Sequence, residues 1–208
     1  CDYYSVSHFF EKYVESLTKK MADGIIIAHS SNSVKMSEIL ERCKVPIILI
    51  DRDFNSDSIL GKVLVDNLEG SYNAVMYMLN KGYKKIAYLS GSLKTRTAQD
   101  RLTGYKNALS DSGFKYDENL VKFGEYRIEW GRRGVNELLS GNENFDAIFC
   151  GNDLIAIGAM KELREKGFSI PGDAGVMGFD DIYMASLLEP SLTTVRQPNY
   201  SMGYKAME

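Results

Sequence analysis

The side chains best suited to chemistry sit directly behind short apolar runs. Gly24–Ala28 (GIIIA) runs into His29, Ser30 and Ser31, and Val45–Ile50 (VPIILI) runs into Asp51, Arg52 and Asp53. Lys85–Leu89 (KIAYL) leads to Ser90, Gly91 and Ser92, and Ala147–Cys150 (AIFC) to Gly151, Asn152 and Asp153. The GVMGF run that opens at Gly175 ends in Asp180 and Asp181. Carboxylates, an amide and hydroxyls exchange hydrogen bonds with ligand hydroxyls. A group of such a site left unpaired costs ~1–3 kcal/mol, which is how the set discriminates. Asn152 or Asp153 also fits the N-cap of a following helix. Asp51 and Asp180 fit that role less well, because no convincing helix starts at once behind them. Arg101, one turn into the helix after the Gly91 loop, suits bidentate donation to a ligand oxygen or a carboxylate. It equally suits a surface pair with Asp100 or Glu137. Tyr126 offers a flat apolar face with a hydroxyl tip, fit for the C–H face of a sugar ring or for ordinary packing.

Other chemistries are excluded by what the chain lacks. Cys1, Cys43 and Cys150 are far apart and form no CxxC pair, so neither a zinc site nor a disulfide framework is indicated, and a reducing compartment fits best. His8 and His29 are the only histidines, which excludes an HExxH protease and His-rich metal catalysis. No GxGxxG, GxxxxGK[ST] or GxSxG occurs. We therefore expect no metal, no cofactor and no enzymatic activity. No apolar run approaches the ~18–20 residues of a membrane span. With 25 Lys plus Arg against 28 Asp plus Glu, the net charge is −3, which argues against a nucleic-acid-binding face in this stretch.

The elements that must position these groups are legible as a repeat of apolar run, polar cluster, amphipathic stretch and glycine. The runs are short, rich in β-branched residues and apolar on alternating faces, as strands of a parallel sheet covered on both sides should be. Between them Phe10, Tyr13, Val14 and Leu17 follow helical spacing, as do Met36, Ile39, Leu40 and Cys43, and Tyr72, Val75, Met76 and Leu79. Weaker versions run through Ala98, Leu102, Tyr105 and Leu109, through Gly131, Val135 and Leu138, and through Ala156, Met160 and Leu163. Gly82, Gly113, Gly141 and Gly167 stand where a left-handed C′ residue is expected. Such alternation predicts an α/β fold with right-handed crossovers. At 208 residues, 44% of them hydrophobic, the chain can build one large domain or two small lobes. Ligands of such sheets bind at the carboxyl ends of the strands. A sheet opening at GIIIA with a helix before it, a chain opening at Cys1 without Met, and a last helix that opens at Ser201–Gly203 and is cut short at Glu208 lead us to expect truncation at both ends.

Several stretches, in order, resemble the LacI/GalR-type bacterial transcription regulators in their effector-binding domain. They are Asp23–Ile27, Val45–Arg52, Val65-Asp66-Asn67 with Gly70, Gly82–Ala87, Arg101 with Gly104-Tyr105 and Ala108-Leu109, and Asp146–Asp153 with Ala156–Ala159. Ile170-Pro171, Gly178-Phe179-Asp180-Asp181 and Leu192–Pro198 (LTTVRQP) complete the set. The resemblance implies two Rossmann-like lobes with parallel sheets, of the periplasmic-binding-protein type I kind, with the effector between them. Residues 1–65 and 198–208 would form the N-terminal lobe, lacking its first strand and helix, and 66–197 the C-terminal lobe. It implies a cytoplasmic homodimer that binds a saccharide-like effector, and operator DNA only through an N-terminal helix-turn-helix that this sequence does not contain. Among its effector-binding residues, Asp51 would be the carboxylate of the cleft strand, Arg101 the anchoring arginine and Tyr126 the aromatic against the ligand. Asn152 and Asp180 would bond effector hydroxyls, Gln197 would lie at the hinge crossing, and Asp153 would be the helix cap.

Two rivals remain. A periplasmic sugar-binding protein of a transport system shares the fold, though the regulators favour Asp181 and the LTTVRQP crossing. Asp51-Arg52-Asp53 is similar to the DxD opening of haloacid-dehalogenase-like phosphatases, with Asp180-Asp181 as a metal pair. Phe54 and Asn55 then stand where that family has small residues and a threonine.

Overall fold

The computed structural model describes residues 12–17, 19, 22–28, 34–51, 53 and 57–208, without the side chains of 34–37. Cys1, His8, Phe10, the His29-Ser30-Ser31 loop, Arg52, Phe54 and Asn55 lie outside the described residues. The chain divides into two compact units, unit 1 from Cys1–Val65 with Pro198–Glu208 and unit 2 from Asp66–Gln197.

Unit 1 contains a helix over 12–17 (α1), β1 (Ile25–Ile27), α2 (Val34–Glu41), β2 (Ile47–Ile50), β3 (Ile59–Val63) and, from the far end of the chain, α7 (Asn199–Met207). The strands pair in parallel in the order β1-β2-β3, with Ile25 opposite Ile47 and Ile47 opposite Ile59. Val14, Ile25, Ile27, Ile39, Leu40, Cys43, Ile47 and Leu49 form the core. α7 packs on β2 and β3 and buries Met202 and Ala206. The expectation of two covered faces does not hold for β1: Ile26 points away from this core and is 41% exposed.

Unit 2 is a five-stranded parallel sheet in the order β5-β4-β6-β7-β8. Its elements are α3 (Asn67–Asn80), β4 (Ile86–Ser90), α4 (Arg96–Asp111), β5 (Val121–Phe123), α5 (Ile128–Ser140), β6 (Ala147–Cys150), α6 (Asp153–Glu165), β7 (Gly175–Asp180) and β8 (Thr193–Arg196). Alternation along the central strands builds two cores. Ala87, Leu89, Ile148 and Cys150 meet Trp130, Val135 and Leu138 of α5 and Ala156, Ala159 and Leu163 of α6. Ile86, Tyr88, Ala147 and Phe149 meet Ala74, Val75 and Met78 of α3 and Tyr105 and Ala108 of α4. Here both faces are covered, and every residue of β4 and β6 is buried.

Three helices of unit 2 start on side-chain caps that accept otherwise unpaired backbone N–H groups, and α5 starts at Arg127 without one. Asp66 accepts from Glu69, Thr95 from Ala98 and Asn152 from Ile155. α5 and α6 approach until a Cβ on Gly158 would lie 2.0 Å from the Ile128 carbonyl oxygen. Of the four expected C′ glycines, Gly82, Gly113 and Gly167 are left-handed. Gly141 is not, with φ −76. Asn142, at φ 54, takes that conformation after α5, which asparagine tolerates better than most residues.

Candidate functional site

In a parallel sheet all carboxyl ends lie on one edge. In unit 2 the order β4-β6-β7-β8 sets Ser90, Cys150, Asp180 and Arg196 at neighbouring strand ends. The segments leaving those strands carry Gly91, Gly151 with Asn152, Asp181 and Gln197, so residues far apart in sequence meet because of strand order.

Arg101, on the first turns of α4, is 3% exposed. A buried cation must be paired and hydrogen-bonded to be tolerable, and Arg101 is both. Its Nε–H donates to Asn67 Oδ1 at 2.9 Å, its Nη1 to the Gly151 carbonyl oxygen, and its Nη2 to Asp180 Oδ1 at 3.4 Å. The guanidinium carbon stands 3.6 Å over the Phe179 ring, a cation–π arrangement. The surface pairing with Asp100 or Glu137 is not formed; Arg96 pairs with Asp100 instead. Asp180 is held more closely by Gln197, whose Nε2 donates to the same oxygen at 2.5 Å. The 3.4 Å contact lies beyond the usual 2.7–3.2 Å of N–H···O bonds. Arg101 is thus anchored at Nε and Nη1 and loosely held at Nη2, where a ligand oxygen can compete.

Asp180 and Asp181 take φ 116 and φ 57, a left-handed pair of non-glycine residues that turns the chain sharply out of β7. Each such residue costs ~1–3 kcal/mol, and strain of this kind gathers at functional sites. Asp181 is closed off by an ion pair with Arg196 at the end of β8.

The helix cap expected at Asp153 is found at Asn152. Asn152 is the helix cap, its Oδ1 accepting from Ile155 at 3.0 Å. Its amide nitrogen is the part that suits a ligand. Asp153 is fully buried and accepts from the Ile182 N–H at 2.8 Å and the Thr194 hydroxyl at 2.5 Å. It ties the start of α6 to the β7–β8 connection and to β8. Burial pushes its carboxyl up from the ordinary value, opposed by hydrogen bonds from Thr194, Ile182 and the Asp181 backbone, with the Asp181 charge adding to the rise.

Tyr126 lies flat over Gly91, where any Cβ would sit 2.2 Å from its ring. Trp130 supports the same edge from below and donates its Nε1–H to the Ser90 carbonyl at 2.9 Å. Arg101, Asp180 and Gln197 are therefore joined directly. Asn152 adjoins them through Gly151, which packs on Gly91 under Tyr126. Asp51 belongs to unit 1, at the end of β2, where its N–H donates to the Val63 carbonyl and its φ is 52. Sequence reasoning missed Asn67 as a partner of Arg101; an asparagine opening a helix carries no signal beyond capping. Among the described residues no cluster of His, Cys, Asp and Glu could hold a metal ion. No helix among them is long and apolar enough to cross a membrane.

Residues 3–208 match the family described as periplasmic binding proteins and sugar binding domain of LacI family. The chain is 35% identical to the HTH-type transcriptional repressor PurR of Vibrio atlanticus, over 94% of this chain and 59% of that protein. It is 32% identical to the ribose operon repressor of Haemophilus influenzae, over 95% of this chain and again 59% of the relative. It thus spans about three-fifths of the length of these relatives, which are named as repressors and not as enzymes. Among solved structures it resembles a sugar-binding transcriptional regulator of the LacI family from Escherichia coli complexed with phosphate. The TM-score is 0.82 and the identity 33%, with 97% of this chain and 72% of that chain covered.

Proposed function

Because the chain belongs to the family of periplasmic binding proteins and LacI-type sugar-binding domains, we propose that it is the effector-sensing part of a transcriptional repressor and binds a small saccharide. The observation that carries this reading is the convergence of Arg101, Asp180, Gln197 and Asn152 on one sheet edge, beside the Tyr126 ring. Asp180 accepts from a sugar hydroxyl, the Asn152 amide nitrogen and the Arg101 Nη2 donate to sugar oxygens, and Tyr126 receives a C–H face. Asp51 of unit 1 joins them as a second carboxylate acceptor. An effector gripped by both units favours the closed arrangement by its differential affinity for the two states. In the intact protein, a cytoplasmic homodimer, that shift is passed to an operator-binding segment, with a coupling of ~1–3 kcal/mol. Tyr183, Met184 and Leu187, exposed together on the short turn after β7, support an apolar contact with a second copy.

The test is titration of the chain with D-ribose and a panel of pentoses, hexoses and disaccharides, by calorimetry and by the fluorescence of Trp130, the single tryptophan. A saturable signal is expected for one of them. Asp180→Asn or Arg101→Ala should weaken it roughly 10- to 100-fold, the size of a lost hydrogen bond to a charged group. A panel without binding, or variants that bind as the parent does, would overturn the proposal.

A further inference from the structure

We propose that Asn67 is a positioning residue of the effector site: it fixes the plane of the Arg101 guanidinium. This rests on the reading of Arg101 as an effector-binding group.

Asn67 is the first residue of α3, two positions past Val65, where unit 1 ends. The cap of that helix is Asp66, which accepts from Glu69 at 2.8 Å, so capping does not occupy the Asn67 side chain. Asn67 is nevertheless 4% exposed, and its Oδ1 takes the Nε–H of Arg101. Burying an amide costs free energy unless it is bonded, and this bond spans two helices. Together with the Nη1 bond to the Gly151 carbonyl oxygen, the bond at Nε opposes rotation about the last side-chain torsions and so leaves Nη2 as the nitrogen open to a ligand. The helix itself is registered to the same turn. The Ser71 hydroxyl donates to the Arg101 carbonyl at 2.6 Å, and a Cβ on Gly104 would lie 2.3 Å from the Leu68 carbonyl oxygen. The return crossing ends in the same group, since Gln197 is the last residue of unit 2 and holds Asp180. The residues flanking both crossings are thus each one hydrogen bond from the Arg101–Asp180 pair.

The test needs no known effector. In the 15N-labelled chain the Arg101 Nε–H resonance, assigned by its loss in Arg101→Lys, is followed by hydrogen exchange. Asn67→Ala should speed its exchange roughly tenfold or more, the worth of one such bond. Asn67→Asp, which keeps the acceptor, should restore protection. With D-ribose as probe, Asn67→Ala should weaken binding by a similar factor and Asn67→Asp recover it. Exchange unchanged in Asn67→Ala, exchange equally fast in both variants, or lost protection with D-ribose affinity intact would each overturn the proposal. A parent chain that takes no saccharide sinks the saccharide reading alone, and the exchange rates then decide the role of Asn67. If Asn67→Ala fails to fold, Asn67→Gln displaces the same acceptor by one methylene and replaces it.

Discussion

Asp153 is fully buried behind the carboxyl edge of the five-stranded sheet and holds the residues around it in place. Its two acceptor oxygens hold Ile182 and Thr194, which flank the segment from Asp180 to Arg196. Burial raises its pKa above the ordinary 3.8, so the fold favours the protonated form. A carboxyl raised in the folded state contributes most below its unfolded value, and the contribution fades as pH rises through the folded value. Asp153→Asn cannot ionise and should gain on the parent in melting temperature as pH rises from about 3.8 towards neutrality, whatever its offset from the lost acceptor. A gap between the two melting curves that is constant across that range would contradict this. Residue types at the strand ends were legible, and so was the isolation of Asp180 from any helix. The division of labour between Asn152 and Asp153 was not, because both fit a cap and only the position of β8 decides which side chain finds the Thr194 hydroxyl. Asn67 was illegible for the same reason: its partner lies 34 residues away.

Among elements, the pairing of α5 with α6 makes the sharpest test. In an exposed helix Gly→Ala stabilises by up to ~1 kcal/mol. At Gly158 the new methyl would lie 2.0 Å from the Ile128 carbonyl oxygen, a backbone atom that cannot swing aside. Gly158→Ala should therefore destabilise, by about 1–3 kcal/mol as overpacked contacts do, read as a lower urea midpoint at unchanged slope. An unchanged or higher midpoint would show that the helices separate freely. The strands divide into those the sequence reveals and those it hides. β2, β4, β6 and β7 read directly from apolar runs, because neighbours or helices cover them. β1 (III) ends its sheet too yet keeps an apolar run, but β3 (ILGKV), β5 (VKF) and β8 (TTVR) end theirs with Lys, Arg, Thr and Gly, tolerated where, among the described residues, one edge has no strand partner. Hydrophobic periodicity reports burial, and those strands have too little of it to stand out.

At the scale of the molecule the two units are built differently. Unit 2 is one uninterrupted segment of 132 residues (197 − 66 + 1), an ordinary domain size with two cores of its own. Expressed alone as residues 66–197 it should unfold in one cooperative transition and retain near-ultraviolet dichroism from buried Trp130, Tyr88 and Tyr105. A fragment that binds hydrophobic dye and melts without a transition would refute its independence. Unit 1 draws on both ends of the chain, since Met202 and Ala206 of α7 close over β2 and β3. During synthesis, then, every residue of unit 2 is added before α7 is made. The strands of unit 1 keep the flank that Met202 and Ala206 cover open to chaperones until residues 199–207 have emerged.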